Sequence, residues 1–302
     1  MLMHVVSFIS ASGGVGKTTL SLLTAGAYAL HGKRVLLVDL DSSATATMWT
    51  VGDHAEDCNL KTLLQRLVDF KTGRVGRPPD AGECVRRVRV VGTHSDFHLL
   101  PGGNLDDVAG EVKNLPKWSD LLVDLLGPLV DKHDIVILDS PNWVYWSFPM
   151  TIPLSSFYVA ITRPGEAEVK KTAVFLQRVY AVMRNQFGID SPDLYISVLL
   201  NQIRDNRVDK IAEAWEETRN TITKAFPNIT VIKWEERAKY YSDKVESEYY
   251  GFKLKNGLGI EEYREKGHVL KRDKGEDKLQ FEAYFKALNR FIESTAPYRR
   301  VE

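Results

Sequence analysis

Short apolar runs alternate along the chain with longer segments whose apolar residues recur at helical spacing. Runs of this kind are typical of strands that are buried on both faces of a parallel sheet. The runs lie at residues 4–9, 34–41, 97–100, 134–139, 157–161 and 194–201, and the helical segments include residues 18–30, 60–70, 118–130 and 169–187. The pattern predicts an α/β fold, with a mostly parallel twisted sheet and helices on both of its faces, in three layers.

A glycine-rich turn joins the first predicted strand to the first predicted helix. Its sequence is Gly13-Gly14-Val15-Gly16-Lys17-Thr18-Thr19. The backbone N–H groups of such a turn converge on an anion, and the following helix adds the positive end of its dipole. In this motif the lysine reaches the β- and γ-phosphates, and the next hydroxyl coordinates Mg²⁺. We predict that residues 13–19 bind nucleotide phosphates, with Lys17 and Thr18 in these two roles.

Two of the predicted strands end in carboxylates. Residues 34–41 end in Asp39 and Asp41, and residues 134–139 end in Asp139. Ligands of open parallel sheets bind beyond the carboxyl ends of the strands, so we expect these side chains near the phosphate turn. The apolar run before Asp139 has the form of a Walker B motif, whose acid holds Mg²⁺. Asp41 also has a plainer interpretation, as a cap or turn residue in its Asp-Ser-Ser sequence.

The run at residues 194–201 ends in an amide, Asn201. An amide at this edge of the sheet offers both a donor and an acceptor, so it could read the edge of a purine base. The alternative is an ordinary turn asparagine. Asn201 is therefore a candidate nucleotide contact with two open interpretations.

The charge balance excludes a strong overall field. Lys plus Arg and Asp plus Glu number 40 each, so a nucleic-acid surface must be a local patch. The densest basic stretch consists of Lys71, Arg74, Arg77, Arg86, Arg87 and Arg89. This stretch could contact phosphates, but the favoured interpretation is a solvated loop that leads into an edge strand.

Cysteine usage and hydropathy favour a cytoplasmic protein. Cys58 and Cys84 lack metal or redox-motif spacing, and we expect both to be ordinary thiols in a reducing compartment. The N-terminus lacks the pattern of a signal peptide, and no stretch approaches the ~20 apolar residues of a membrane span. The sequence therefore predicts no membrane partner.

A single domain over residues 1–302 is the simplest organisation, because no repeat or Pro/Ser-rich linker divides the chain. Residues 235–278, with several glycines, are expected to form a less regular insertion. A C-terminal amphipathic helix is predicted at residues 279–294. Its polar face mixes both charges, which favours docking on the core over binding to a membrane.

Together these motifs resemble the ParA/MinD family of deviant Walker-A P-loop ATPases, most closely the ParA-like DNA partition ATPases. The resemblance rests on residues 12–19, 38–41 and 137–141 and extends over roughly residues 1–205. The loop matches the deviant form, because Ala11 stands where the strict motif has glycine.

The resemblance implies a P-loop NTPase fold and an ATP-dependent switch. In such proteins ATP and Mg²⁺ close a homodimer, and hydrolysis to ADP and phosphate, slow and stimulated by a ParB-like activator, reopens it. ParA-like dimers bind DNA nonspecifically and act in plasmid or chromosome partition. Carried over to this sequence, Lys17 and Asp41 become the catalytic residues, the latter by orienting the attacking water. Thr18, Asp39 and Asp139 become the residues around the metal.

One position departs from the family pattern. The signature lysine of the family, which lies just before the two glycines and reaches the partner subunit's nucleotide, is replaced here by Ser12. Loss of such a charge is expected to slow phosphoryl transfer, which leaves a poorly hydrolysing, nucleotide-dependent scaffold or positioning protein as an alternative. A kinase of the same superfamily is a further alternative, suggested by the tyrosines at 240, 241, 249 and 250.

Overall fold

The computed structural model describes residues 4–55, 57–90, 94–142, 145–201, 208–232, 285 and 287–294. Its strands are β1 (His4–Ser10), β2 (Val35–Asp39), β3 (Arg86–Arg89), β4 (Asp96–Leu100), β5 (Ile135–Asp139), β6 (Phe157–Thr162), β7 (Ile196–Leu200) and β8 (Thr230–Ile232). They form one eight-stranded sheet in the order β3-β4-β2-β5-β1-β6-β7-β8. All neighbouring pairs are parallel except β3 and β4, which are antiparallel.

Helices connect the parallel strands. They are α1 (Lys17–Leu30), α2 (Thr45–Thr50), α3 (Leu60–Lys71), α4 (Ala109–Lys113), α5 (Leu121–Val130), α6 (Glu166–Phe187) and α7 (Val208–Ala225). A short 3₁₀ turn at Gly52–Ala55 precedes α3, and a second one at Ala81–Cys84 lies between α3 and β3. The strands alternate with helices as the sequence pattern predicts, because each apolar run can only be buried if helices cover it.

Helices cover both faces of the sheet, so the predicted three layers are confirmed. On one face, side chains of α1 such as Leu23 pack with Phe8 and Leu37 of the central strands. On the other face, side chains of α3 and α5 such as Leu64 pack with Val136. The central strands β2, β5, β6 and β7 are buried along their whole lengths, which is why their sequences are continuous apolar runs.

The basic stretch at residues 71–89 forms the exposed loop and edge strand that the favoured interpretation predicts. It runs from the end of α3 through an exposed loop into β3, which is an edge strand. Lys71 pairs with Asp124, Arg74 with Glu111, and Arg87 with an aspartate on β4. Several of these cations are therefore already paired with carboxylates of the same chain.

The expectation of two ordinary thiols is wrong. Cys58 and Cys84 form a disulfide, with Cα atoms 5.0 Å apart, although the two residues are separated by 26 positions in sequence. Cys58 immediately precedes Asn59, the N-cap of α3, and Cys84 ends the 3₁₀ turn before β3. The spacing in sequence gave no sign of this pairing, because only the packing of α3 beside the edge strand brings the two residues together.

The described part of the C-terminal segment packs against α1 and β6. Residue 285 and residues 287–294 are helical. Phe285 contacts the ring of Tyr28 at 4.7 Å between centroids, and Phe291 contacts Phe157 of β6 at 5.6 Å. The described part of the C-terminal helix is thus docked on the core, while the insertion at 235–278 and residues 279–284 lie outside the described residues. No helix in the described part of the chain combines the length and apolarity that crossing a bilayer requires.

Candidate functional site

A cavity of about 380 Å³ lies over the turn between β1 and α1. Gly16 has φ of +89°, and a Cβ on it would lie 2.6 Å from Asn201 Nδ2, so both backbone conformation and space require glycine there. α1 begins at Lys17, which directs its unpaired first amides toward the turn. The cavity is lined by residues 12–19 together with Ser10, Asp41, Ser43, Thr45, Trp49, Asn142 and Tyr145.

Lys17 places the positive charge of this cavity. Its Nζ lies 3.1 Å from Asp41 Oδ2 and 3.4 Å from Asp139 Oδ1, and only 8% of its side chain is exposed. Burial alone would lower the pKa of Lys17, but the charges of Asp139 and Asp41 outweigh it and raise the pKa above its usual value. The ammonium therefore stays protonated beneath the phosphate turn.

Asp139 ends β5 at the floor of the site and is fully buried. Its Oδ1 accepts from Lys17 Nζ at 3.4 Å and from Ser21 Oγ at 3.3 Å, and the nearby Thr18 hydroxyl acts to lower the pKa of the carboxyl. Burial raises the pKa of Asp139, although the Lys17 charge acts in the opposite direction. Its Oδ2 is buried without a hydrogen-bond partner among the described residues. An unpaired carboxylate oxygen of this kind needs a partner.

The residues present fit Mg²⁺. This ion is held in nucleotide sites by one or two carboxylates together with phosphate oxygens and water. Asp139 offers its unpaired oxygen, and the Thr18 hydroxyl lies beside it. Among the described residues, no group of three or more His, Cys, Asp or Glu side chains is placed to hold a metal ion; in a nucleotide site, phosphate oxygens and water complete the ligands of Mg²⁺. The assignment of Thr18 and Asp139 to a metal stays a prediction.

Asp39 lies beside Asp139 but uses its oxygens differently. The two residues are register partners on β2 and β5. Asp39 Oδ2 accepts from the backbone N and the Oγ1 of Thr47, both at 2.8 Å, and its Oδ1 accepts from Asp41 N at 3.3 Å. Burial, and next the charge of Asp139, raise the pKa of Asp39 to about 7. Its predicted role at a metal remains untested, and in this structure the carboxylate anchors α2.

Thr47 is a residue that sequence reasoning missed. Its hydroxyl donates to Asp39 and accepts from Gly102 N at 2.7 Å, which ties α2 to the loop after β4. A Cβ at Gly102 would lie 2.8 Å from the Asp39 carbonyl oxygen, so this loop needs glycine to approach β2. In the sequence, Thr47 is only a threonine eight residues after Asp39, and this spacing matches no motif.

Asp41 lies at the rim of the cavity, with 21% of its side chain exposed. Its Oδ1 accepts from Ser43 N at 3.0 Å and from Ser43 Oγ at 2.9 Å. Burial would raise the pKa of Asp41, but the Lys17 charge and the Ser43 hydrogen bonds lower it below its usual value. Asp41 is thus ionised, and its bonds to Ser43 agree with the interpretation as a turn residue; its role toward an attacking water stays a prediction.

Asn201 follows β7 and is nearly fully buried. Its Nδ2 donates to the Val15 carbonyl oxygen at 2.8 Å, and its backbone N donates to Thr162 O at 2.8 Å. Its Oδ1 has no hydrogen-bond partner among the described residues. The amide therefore holds the phosphate turn in place through its hydrogen bond to Val15. Contact of Asn201 with a purine base stays a prediction.

Ser12 occupies the rim without a positive charge. Hydrogen bonds from Lys171 and from Ser12 lower the pKa of Glu168, and Arg163 lies 3.6 Å from the same carboxylate. The hydroxyl at position 12 is thus engaged with an acid at the start of α6. The tyrosines at 240, 241, 249 and 250, on which the kinase alternative depends, lie outside the described residues.

Comparisons with known sequences place these features in context. Residues 6–245 match the family model for the CobQ/CobB/MinD/ParA nucleotide binding domain. An uncharacterized protein of Pseudomonas putida is 30% identical over 218 residues, which cover 68% of this chain and 71% of that protein. The chromosome-partitioning ATPase Soj of Thermus thermophilus is 31% identical over 163 residues, which cover 54% of this chain and 55% of Soj.

Solved structures share the fold. pNOB8 ParA bound to nonspecific DNA aligns with a TM-score of 0.62 at 17% identity and covers 97% of this chain and 99% of that chain. Cobyrinic acid a,c-diamide synthase from Mycobacterium smegmatis, with bound ATP analog and magnesium, aligns with a TM-score of 0.63 at 15% identity and covers 100% of both chains. These identities are low, so the likeness shows the architecture alone and confirms the predicted P-loop NTPase fold.

Proposed function

The chain belongs to the CobQ/CobB/MinD/ParA nucleotide-binding family, and from this premise we propose that it is a ParA-like ATPase acting in DNA partition. It would hydrolyse ATP to ADP and phosphate at the cavity over α1, and ATP binding would close a homodimer. The chain would work as a switch, whose slow hydrolysis a ParB-like activator stimulates.

The position of Lys17 carries this proposal. Its ammonium is held by two carboxylates under a rim of backbone amides at the start of α1. Because Asp41 and Asp139 both face this ammonium, Lys17 offers a phosphate little net positive charge. This arrangement suits a phosphate that arrives with a divalent cation.

Asp41 is the proposed positioning group for the attacking water. It lies at the rim of the cavity, and its lowered pKa keeps it ionised near neutral pH. An ionised carboxylate accepts a hydrogen bond from water and so fixes the direction of attack on the terminal phosphate. Mg²⁺, held by Thr18 and Asp139, would neutralise charge that develops on the phosphate oxygens.

The partition role rests on the relatives. Soj is a chromosome-partitioning ATPase, and a virulence plasmid ParA family protein of Chlamydia psittaci is 28% identical over 141 residues. The structural neighbour pNOB8 ParA is bound to nonspecific DNA. Since the present chain has no net charge, its DNA contacts would come from a local surface that the dimer assembles.

Size-exclusion chromatography with and without ATP and Mg²⁺ tests the switch. We expect a shift from monomer to dimer that requires both. Filter binding of a random DNA duplex at low salt then tests the DNA contact, with retention that appears with ATP and falls as salt rises. A chain that stays monomeric with ATP would contradict the switch, and a dimer that retains no DNA would remove the partition role alone.

A nucleotide-dependent scaffold that hydrolyses poorly is the second candidate. It is favoured by Ser12, whose hydroxyl contacts Glu168 and supplies no charge to a phosphate. Steady-state ATP turnover of the wild type and of Ser12→Lys distinguishes the two. Weak wild-type turnover that rises in the variant would support the scaffold, and robust wild-type turnover would exclude it.

A further inference from the structure

A pair of histidines lies at the end of the sheet opposite the phosphate cavity. His98 lies within β4, and His133 precedes the amino end of β5, whereas the cavity lies beyond the carboxyl ends of the strands. His98 Nδ1 lies 2.8 Å from His133 Nε2, and the two ring planes are nearly perpendicular, at 86°. His133 is buried, with 6% of the residue exposed. The two rings therefore join β4 to the turn before β5, and neither of them lines the cavity.

The carbonyl oxygen of Leu129 fixes the proton positions in this pair. His133 Nδ1 lies 2.6 Å from that oxygen, and a carbonyl can only accept, so Nδ1 carries a proton. In a neutral His133 the other nitrogen, Nε2, is then an acceptor, and His98 must donate to it from Nδ1. The neutral pair is thus fully ordered, because His98 donates to His133 and His133 donates to the last turn of α5.

The four nitrogens of the two rings allow three protons and exclude a fourth. The neutral pair holds two protons, one between the rings and one on His133 Nδ1. A third can go to His98 Nε2, since this nitrogen takes no part in the bond between the rings. A fourth would place N–H groups on both facing nitrogens, which are only 2.8 Å apart, and a positive charge on each ring. The hydrogen bond therefore tolerates one added proton and breaks with the second.

Charged side chains lie beside the pair on the neighbouring elements, and they form two ion pairs: Arg34 with Asp134, and Arg87, the register partner of His98 on β3, with Asp96. From α5 the pair contacts the Leu129 carbonyl. Burial is the main cause that lowers the pKa of His133; the charges of His98 and Arg34 act in the same direction, against the Leu129 bond and the charge of Asp134. Both carboxylates already have an arginine partner, so neither offers an unmatched negative charge to a doubly protonated pair.

We propose that His98 and His133 form a pH-sensitive link between β4 and the turn before β5, intact while the pair holds at most one added proton and broken by the second. Breaking the link lets the buried His133 ring reach water, where its charge is hydrated. β4 lies between β2 and the edge strand β3, so acid loosens this edge of the sheet before its centre. The inference does not depend on the proposed nucleotide site.

Imidazole ¹⁵N spectra of the full chain test the proton positions directly. Near neutral pH we expect His133 as the Nδ1–H tautomer, with a scalar coupling across the hydrogen bond to His98 Nδ1. Because the pKa of His133 is lowered from 6.5, this coupling should vanish only below that pH, when both rings are charged. Amide exchange in β4, corrected for its intrinsic pH dependence, should then speed up about tenfold, the factor expected for one lost buried hydrogen bond. An Nε2–H tautomer of neutral His133, or a coupling that persists when both rings are charged, would overturn the inference.

His98→Asn separates the link from acid denaturation in general. An amide can donate to His133 or, after rotation, accept from it, and it cannot become charged. The faster exchange of β4 in acid should then be absent, and the His133 ring should titrate at higher pH than in the wild type, because the like charge is gone. His31 offers a matched control, since its Nδ1 also contacts a helix carbonyl, that of Ala27 at 2.8 Å, while its ring lies against Phe285. His31→Asn should leave the acid response of β4 unchanged. Equal acid responses of β4 in the wild type and in His98→Asn would contradict the link.

Discussion

The two sides of the phosphate cavity use neighbouring carboxylates in different ways. On the α1 side, which we define as Lys17 and Asp139, Lys17 lines the cavity and the Oδ2 atom of Asp139 lacks a hydrogen-bond partner within the described residues. On the α2 side, defined as Asp39, Thr47 and Gly102, each polar group is used within the protein.

The difference is instructive because Asp39 and Asp139 are register partners on adjacent strands and both end apolar runs. A buried oxygen without a partner costs free energy until a ligand satisfies it, so the α1 side is suited to binding. Saturated groups rigidify a structure instead, so the α2 side holds the segment that carries Asp41.

The largest expected effect is on the α1 side. Lys17→Gln keeps most of the side-chain length but removes the charge, so affinity for ATP with Mg²⁺ should fall by about 100-fold to 1,000-fold. Calorimetric titration measures this loss, and thermal unfolding of the same variant checks that it is folded. An affinity within about threefold of the wild type would show that Lys17 does not contact phosphate.

Loss of the disulfide between Cys58 and Cys84 is expected to give the next largest effect. This crosslink joins cysteines that are 26 positions apart in sequence, and closing a loop of this size stabilises by about 3 kcal/mol through loss of unfolded-state entropy. Cys58→Ser should therefore lower the free energy of unfolding in urea by about this amount while leaving ATP affinity unchanged. Wild-type protein treated with a dithiol reductant is the control and should behave as the variant does. Equal stability of oxidised and reduced wild type would contradict the crosslink.

Thr47→Val removes a hydroxyl and leaves both Asp39 Oδ2 and Gly102 N with one hydrogen bond fewer. The free energy of unfolding should fall by about 2 kcal/mol, because buried groups lose their partners. Nucleotide affinity should stay within about threefold of the wild type. Thr50→Val, one turn further along α2, is the matched control, since its hydroxyl bonds only to helix carbonyls. A loss of ATP binding as large as that of Lys17→Gln would erase the distinction between the two sides.

The remaining effect is a pH dependence of the nucleotide-free protein. Burial and the Asp139 charge raise the pKa of Asp39 from 3.8 to about 7, so between these values the folded state holds a proton that the unfolded state has lost. Stability should consequently fall as pH rises through this window, with a slope of at most about 1.4 kcal/mol per pH unit from this group, and level off above it. Asp39→Asn should remove that share of the slope in urea unfolding between pH 4 and 8. An unchanged slope would contradict the raised pKa.

Much of the fold could be predicted from the sequence, because burial on both faces of a parallel sheet demands apolar runs. The runs that precede Asp39 and Asp139 indicated strands whose carboxyl ends lie near the phosphate turn; the pairing of the two residues on neighbouring strands is seen only in the structure. The phosphate turn could be predicted because its signals are local: Gly16 has a positive φ that favours glycine, and α1 begins at the next residue, Lys17.

Features that depend on distant contacts could not be predicted. The Thr47 bridge joins β2 to the loop after β4, and the disulfide joins the residue before the N-cap of α3 to the 3₁₀ turn before β3. Neither leaves a periodic or motif signal, because each arises only when separate elements pack together. The roles of Asp39 and Asp139 likewise looked equivalent in sequence, and only their hydrogen-bond partners separate them.

Calorimetric titration of ATP with Mg²⁺ into the wild type, Lys17→Gln and Thr47→Val, side by side, is the most direct test of the division between the two sides. We predict binding to the wild type and to Thr47→Val with similar affinity, and a loss of at least about 100-fold in Lys17→Gln. Wild-type affinity in Lys17→Gln, or equal losses in both variants, would contradict the account.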